Sequence, residues 1–179
     1  MTVSPAPAPA PGPIRAAALL PGAGAGASDA VTLDYEGRWR RRGMLTTEGG
    51  ERVLLDLAQA AELEDGDALA LEDGRRVAVR AAAEPLTEVR AEDARHLTRL
   101  AWHLGNRHLP VQIEAARLLI RHDHVLEDML RRLGARLVAV EAPFTPERGA
   151  YGHGRTHGHS HSHDPHEDPD AALRDHLHG

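Results

Sequence analysis

Residues 84–140 read EPLTEVRAEDARHLTRLAWHLGNRHLPVQIEAARLLIRHDHVLEDMLRRLGARLVAV, and the changes of period inside this stretch decide the fold. Leu86-Thr87-Glu88-Val89 is a short strand, after which Ala94, Leu97, Leu100, Ala101 and Leu104 recur at helical spacing. Gly105 is placed to end that helix in the left-handed C′ position, and Pro110 blocks its resumption. Val111 to Ile113 and Leu118 to Ile120 make two more strands. Asp123 is a good N-cap for a second helix that carries Leu126, Met129, Leu130 and Leu133 on one face. Arg131 and Arg132 suit the negative end of its dipole, Gly134 ends it, and Leu137-Val138-Ala139-Val140 is a final strand. The order β-α-β-β-α-β is the ferredoxin-like arrangement, assigned to residues 85–150.

Upstream, the period shortens. Val31, Leu33 and Tyr35 alternate with polar residues, and Val53-Leu54-Leu55-Asp56-Leu57 is a compact apolar run. Leu69 and Leu71 precede Asp73-Gly74, and Val77 and Val79 follow it, which predicts a hairpin with a type I′ turn. Residues 31–84 therefore read as a small all-β domain. Residues 1–30 are nearly all Ala, Pro and Gly, with Arg15 and Asp29 as the only charges, and are expected to be a disordered extension. The fold class is α+β: a small all-β domain, a ferredoxin-like domain and a disordered tail over residues 151–179.

That tail holds eight of the thirteen histidines, and His157, His159, His161 and His163 fall at alternate positions. Neutral imidazole suits zinc, copper, iron and nickel, so a run of this density collects divalent metal. Its Gly, Ser, Asp and Pro residues cannot build a packed core. Purification tags are usually unbroken histidine runs, and this one is interleaved with other residues. A tail gathers metal; selectivity and delivery belong to the folded part.

Composition removes whole classes of function. There is no Cys, hence no disulfide, thiolate nucleophile, iron–sulfur cluster or Cys-based zinc site. Net charge is -6 and nothing in the composition builds a basic nucleic-acid surface. The Arg40, Arg41, Arg42 cluster reads as the exposed side of a strand. No apolar stretch approaches the roughly 18–20 residues of a membrane span, and no basic n-region opens a signal peptide. A cytoplasmic protein without membrane contact is expected.

Within the α+β unit, His108 follows a helix C-terminus, where the dipole favours a cation. His122 and His124 form His-Asp-His at a strand–helix junction, and an extended backbone puts both imidazoles on one side. Neither feature alone separates metal ligands from polar surface. His96 and His103, seven residues apart, read as packing or surface residues, and Asp123 as a cap rather than a third ligand. Trp102 and Phe144 read as core or interface aromatics. A metallohydrolase needs three fixed ligands, an open position and a carboxylate base, and the chain shows no HExxH, no HxHxDH and no convincing third ligand.

Two segments carry a resemblance. Ala101-Trp102-His103-Leu104-Gly105-Asn106-Arg107-His108, with Pro110 and Gln112, resembles the signature of the urease accessory protein UreE family, as does Asp123-His124-Val125-Leu126-Glu127-Asp128-Met129-Leu130. Arg40-Arg41-Arg42-Gly43, Leu54-Leu55-Asp56-Leu57, Asp73-Gly74-Arg75 and Ala142-Pro143-Phe144 extend it over about residues 31–163. The resemblance implies a nickel metallochaperone, not an enzyme, with a peptide-binding-like β domain and a ferredoxin-like metal-binding domain. It implies a homodimer through the C-terminal domains, with His108 of each copy meeting on the two-fold axis, since an isologous interface brings like residues together. It further implies that His122 and His124 bind metal near that interface and that His153 completes the site when the tail folds back.

By the same resemblance the cargo is Ni(II), collected by the tail, held by the His108 pair and passed by ligand exchange. The receivers are a UreG-type GTPase, other urease accessory proteins and the urease apoprotein. The same imidazoles take zinc or copper in the test tube. Imidazole binds only when neutral and titrates near about pH 6.5 when free, so loading weakens on acidification. Two other readings stand beside this one. One is metal storage or detoxification acting mainly through the tail; the other is a peptide-binding chaperone in which metal is incidental.

Overall fold

The computed structural model describes residues 12–147, and it departs from the sequence reading at the N-terminus. Strand β1 (Ile14–Leu20) lies inside a sheet, parallel to β4 (Arg52–Glu62) and antiparallel to β5 (Ala68–Leu71). With β2 (Asp29–Leu33), β3 (Trp39–Thr46) and β6 (Arg76–Ala81), the strand order is β2-β6-β5-β1-β4-β3. The disordered extension expected over residues 1–30 is thus corrected for residues 12–30, which hold β1 and the start of β2, while residues 1–11 lie outside the described residues.

The physical reason is pairing. Alanine has little strand propensity of its own, but this segment finds a hydrogen-bonding neighbour on each side, and context outweighs propensity in a sheet. Ala16 is fully buried within a core that includes Val31, Leu45, Val53, Leu55, Leu69, Val77 and Val79. The two charges that the first 30 residues carry anchor the strands they sit on, Arg15 on β1 and Asp29 on β2. Arg15 reaches Asp56 at 2.8 Å and Glu72 at 3.2 Å, and Asp29 accepts from the backbone N–H of Ala30 at 2.7 Å and of Gly49 at 3.1 Å.

The Asp73-Gly74 hairpin forms between β5 and β6, but its turn differs from the expected one. Gly74 has φ +86, whereas Asp73 is not among the residues of positive φ. Gly74 N–H donates to Leu71 O and Leu71 N–H to Arg75 O, which closes a three-residue loop with one left-handed position. Arg41 and Arg42 are exposed on β3.

The second unit follows the expected order: β7 (Ala83–Arg90), α1 (Ala94–Gly105), β8 (Gln112–Ile113), β9 (Leu118–Arg121), α2 (His124–Arg132) and β10 (Arg136–Pro143). Its sheet runs β10-β7-β9-β8 with every pair antiparallel, which is the ferredoxin-like topology. Val89, Leu118, Ile120, Leu100, Leu104 and Leu130 form the core between sheet and helices. Asp93 and Asp123 cap the two helices, the latter accepting from Val125 N–H at 2.9 Å and Leu126 N–H at 3.0 Å.

The helix ends differ. Gly134, expected to end the helix, has φ +87, with Ala135 N–H bonded to Leu130 O and Gly134 N–H to Arg131 O, which is a Schellman end. Gly105 is not in the left-handed position assigned to it. It is the last helical residue, and the left-handed conformation falls at His108, φ 55.

The two units meet at Tyr35 and Phe144, whose rings pack edge-on with centroids 5.2 Å apart, beside Leu86 and Leu119. Buried Arg38, from a 3-10 turn at Glu36–Arg38, donates through Nη2 to Phe144 O, and Arg121 Nη1 pairs with Glu36. Among the described residues no helix is long and apolar enough to cross a membrane.

Candidate metal centre

The polypeptide after α1 is built to present a side chain. Asn106 Nδ2 donates to Trp102 O, which also takes the Asn106 backbone N–H, and Arg107 Nη1 donates to His103 O, each side-chain bond being 2.7 Å, so two side chains reinforce the last turn of the helix. The chain then tightens, with Arg107 N–H on Leu104 O and His108 N–H on Gly105 O. His108 emerges exposed with φ 55, the one non-glycine residue of positive φ among the described residues. Such a conformation costs a residue with a Cβ about 1–2 kcal/mol, and strain of this kind gathers at functional positions.

His122 and His124 flank Asp123, whose backbone is extended at φ -152 and ψ 113. That is the geometry in which alternate side chains face the same way, although His124 already begins α2. Asp123 is taken up by its capping bonds, as read from the sequence. His122 Nδ1 lies 2.6 Å from Glu127 Oε1. Glu127 was not singled out from the sequence, yet it is the buried hub of this corner. Its Oε1 also accepts from Thr87 Oγ1 at 2.7 Å, and Oε2 accepts from Arg131 Nη2 at 2.9 Å. The Thr87 bond leads in holding the Glu127 carboxyl below its ordinary range, against the opposing effect of burial, with His122 and Arg131 adding to it. Its sequence signals were its place in the Asp123–Leu130 segment that resembles the UreE signature and a spacing of five residues from His122 and four from Arg131.

The remaining histidines of the unit are committed elsewhere. His96 Nδ1 accepts from Glu92 N–H at 3.2 Å and Nε2 faces Leu133 O at 2.9 Å, which uses both ring nitrogens. His103 stacks edge-on against Trp102 with centroids 5.0 Å apart. Phe144 is core, whereas Trp102 is 64% exposed and is no core residue in this chain. Among the described residues no three His, Cys, Asp or Glu side chains converge as a metal cage within one chain. His153, His157, His159, His161 and His163 lie outside the described residues.

Residues 12–82 match the UreE urease accessory protein, N-terminal domain, and residues 84–178 match the C-terminal domain of the same protein. The chain belongs to the UreE family. Among its relatives, the urease accessory protein UreE of Paracoccus denitrificans (strain Pd 1222) is 62% identical over 126 residues, or 70% of this chain and 79% of that one. The UreE of Rhodobacter capsulatus is 54% identical over 139 residues, 77% of this chain and 86% of that one. The UreE of Bradyrhizobium sp. strain BTAi1 is 61% identical over 125 residues, 70% of this chain but only 61% of its own length. Membership of the UreE family places the chain among accessory proteins rather than enzymes. The N-terminal domain match also begins at residue 12, in agreement with the structural role of β1.

Proposed function

We propose that this UreE-family chain collects Ni(II) and delivers it for assembly of the urease metallocentre. The observation that carries the reading is His108: an imidazole on a left-handed residue, exposed, at the end of a side-chain-capped helix, in the segment that resembles the UreE signature. Two copies related by a two-fold axis through this region bring two such imidazoles together. Exposed Trp102, one helical turn before the His108 loop, supplies apolar surface for that contact.

His122 and His124 add further donors, and His153 with His157, His159, His161 and His163 form the collecting tail. An all-imidazole donor set suits a borderline cation such as Ni(II), and it releases the ion more readily than thiolates would. Transfer then runs by ligand exchange: a partner's donors join the ion before the His108 pair lets go. The partners of this reading are a second copy of the chain, a UreG-type GTPase with the other urease accessory proteins, and the urease apoprotein. The site of action is the cytoplasm.

The test is nickel titration of the full chain and of His108→Ala, with light scattering on each sample. Expected are a dimer and one class of tight nickel, one ion per dimer, that the substitution removes while the looser tail sites persist. Tight binding unchanged in His108→Ala would overturn the His108 assignment. Loss of all nickel when residues 151–179 are deleted would favour storage by the tail instead.

A further inference from the structure

The Glu127 corner does more than fasten a helix to a sheet. Glu127 Oε2 is held by Arg131 one turn along α2, and Oε1 is held by Thr87 on β7, a strand paired on both sides with β9 and β10. The carboxylate is therefore fixed from two elements at once, and its Oε1 stands 2.6 Å from His122 Nδ1. An ionised carboxylate offers only lone pairs, so the hydrogen of this contact lies on Nδ1. A neutral imidazole has one N–H, and Nε2 is left with its lone pair.

We propose that Glu127 is the positioning residue of the His122 donor, fixing the Nδ1–H tautomer so that Nε2 is presented to an incoming divalent cation. This rests on the nickel-carrier reading above. Imidazole in water favours the opposite tautomer, with the hydrogen on Nε2, which must shift before metal can bind there. A carboxylate behind the ring removes that step and raises the basicity of the donor nitrogen, as carboxylate–histidine–metal arrangements do. His122 itself is 70% exposed while Glu127 is 9% exposed, so the donor edge meets solvent and the orienting group does not. Both side chains line one groove of about 400 Å³ beside α2, together with Arg131 and Glu141.

The test uses the full chain, without metal and then with Ni(II), and reads the ¹⁵N shifts of the His122 ring. The comparison is with Glu127→Gln, a near-isosteric change. Arg131 requires an acceptor, so the glutamine oxygen turns toward it and the NH₂ faces Thr87 and His122. Nδ1 must then accept, and the hydrogen moves to Nε2. The expected result is an Nδ1–H ring in the parent chain that inverts to Nε2–H in the variant. On nickel addition, the variant should need about 10–100-fold more free metal to perturb His122, with His108 responding as before.

A purely structural Glu127 would leave the tautomer where it was. An Nε2–H ring in the parent chain overturns the proposal even if nickel still perturbs His108, and in that case the carrier reading stands. Nickel that perturbs neither His108 nor His122 in the parent overturns the carrier reading and this proposal with it. Should Glu127→Gln fail to fold, Thr87→Val removes one of the two anchors of the carboxylate and is read in the same way, with loss of exclusive Nδ1–H character expected.

Discussion

His96 Nε2 lies 2.9 Å from the carbonyl oxygen of Leu133, which ties the first turns of α1 to the C-cap of α2. Because Nδ1 accepts from Glu92 N–H, the ring hydrogen sits on Nε2 and is donated to Leu133. The same ring lies 3.5 Å from where a Cβ on Gly134 would stand. One histidine thereby ties together the two helices beside which His108, His122 and His124 lie, and does so with no nitrogen left for a metal.

Replacing His96 with Ala removes both bonds from a half-buried site. A loss of about 1–2 kcal/mol is expected in urea unfolding, with tight nickel stoichiometry unchanged. A change in stoichiometry at intact fold would show that His96 is a ligand after all.

The two helix-end glycines should respond in opposite directions. Gly134→Ala forces an L-residue to φ +87 and should cost about 1 kcal/mol. Gly105→Ala sits in helical conformation with open space around the new Cβ, and should gain about 0.5–1 kcal/mol. Thermal unfolding of both variants decides the matter, and a destabilised Gly105→Ala would return the left-handed position to that residue.

Deleting β1 should destroy the sheet that its composition conceals. A chain beginning at Val31 leaves β4 and β5 without the strand between them and exposes the core that buries Ala16. Limited proteolysis should then cut within residues 31–82, while a chain beginning at Gly12 resists. Equal resistance of the two would make β1 dispensable.

Acid should weaken the fold through Glu88. This carboxylate is buried, paired first with Arg90 and then with Arg117 at 2.9 Å, and both hold it below its ordinary value of 4.5 against the cost of burial. A depressed carboxylate contributes stability that is full above about 4.5 and fades as pH falls through its lower folded value. Urea midpoints of the parent chain should therefore drop below pH 4.5, and Glu88→Gln, weaker at neutral pH, should show a shallower drop. Parallel curves for the two chains would assign the acid limb to other groups.

The order of the second unit was legible because its signals are local. Leu97, Leu100, Leu104 and then Leu126, Leu130, Leu133 repeat at helical spacing, and Asp123 and Gly134 act on hydrogen bonds within a few residues of themselves. The His108 and His-Asp-His segments were visible as residue types in a pattern. The left-handed residue came at His108 instead of Gly105, after a turn in which the Asn106 and Arg107 side chains donate to Trp102 O and His103 O. The Asp73-Gly74 turn kept its place but took one left-handed residue where two were expected.

By itself, then, the sequence determined the α+β class, the βαββαβ order and the histidines worth weighing, since periodicity and capping are written in neighbouring residues. Only the tertiary structure decided that Ile14–Leu20 is an interior strand, that Arg38 is buried against Phe144, and that Thr87, Glu127 and His122 share one hydrogen-bonded corner. Those outcomes depend on partners between 5 and 106 residues away, brought together by sheet pairing and helix packing. A low-propensity strand or an unremarked glutamate gains its meaning only when the fold supplies the group it faces.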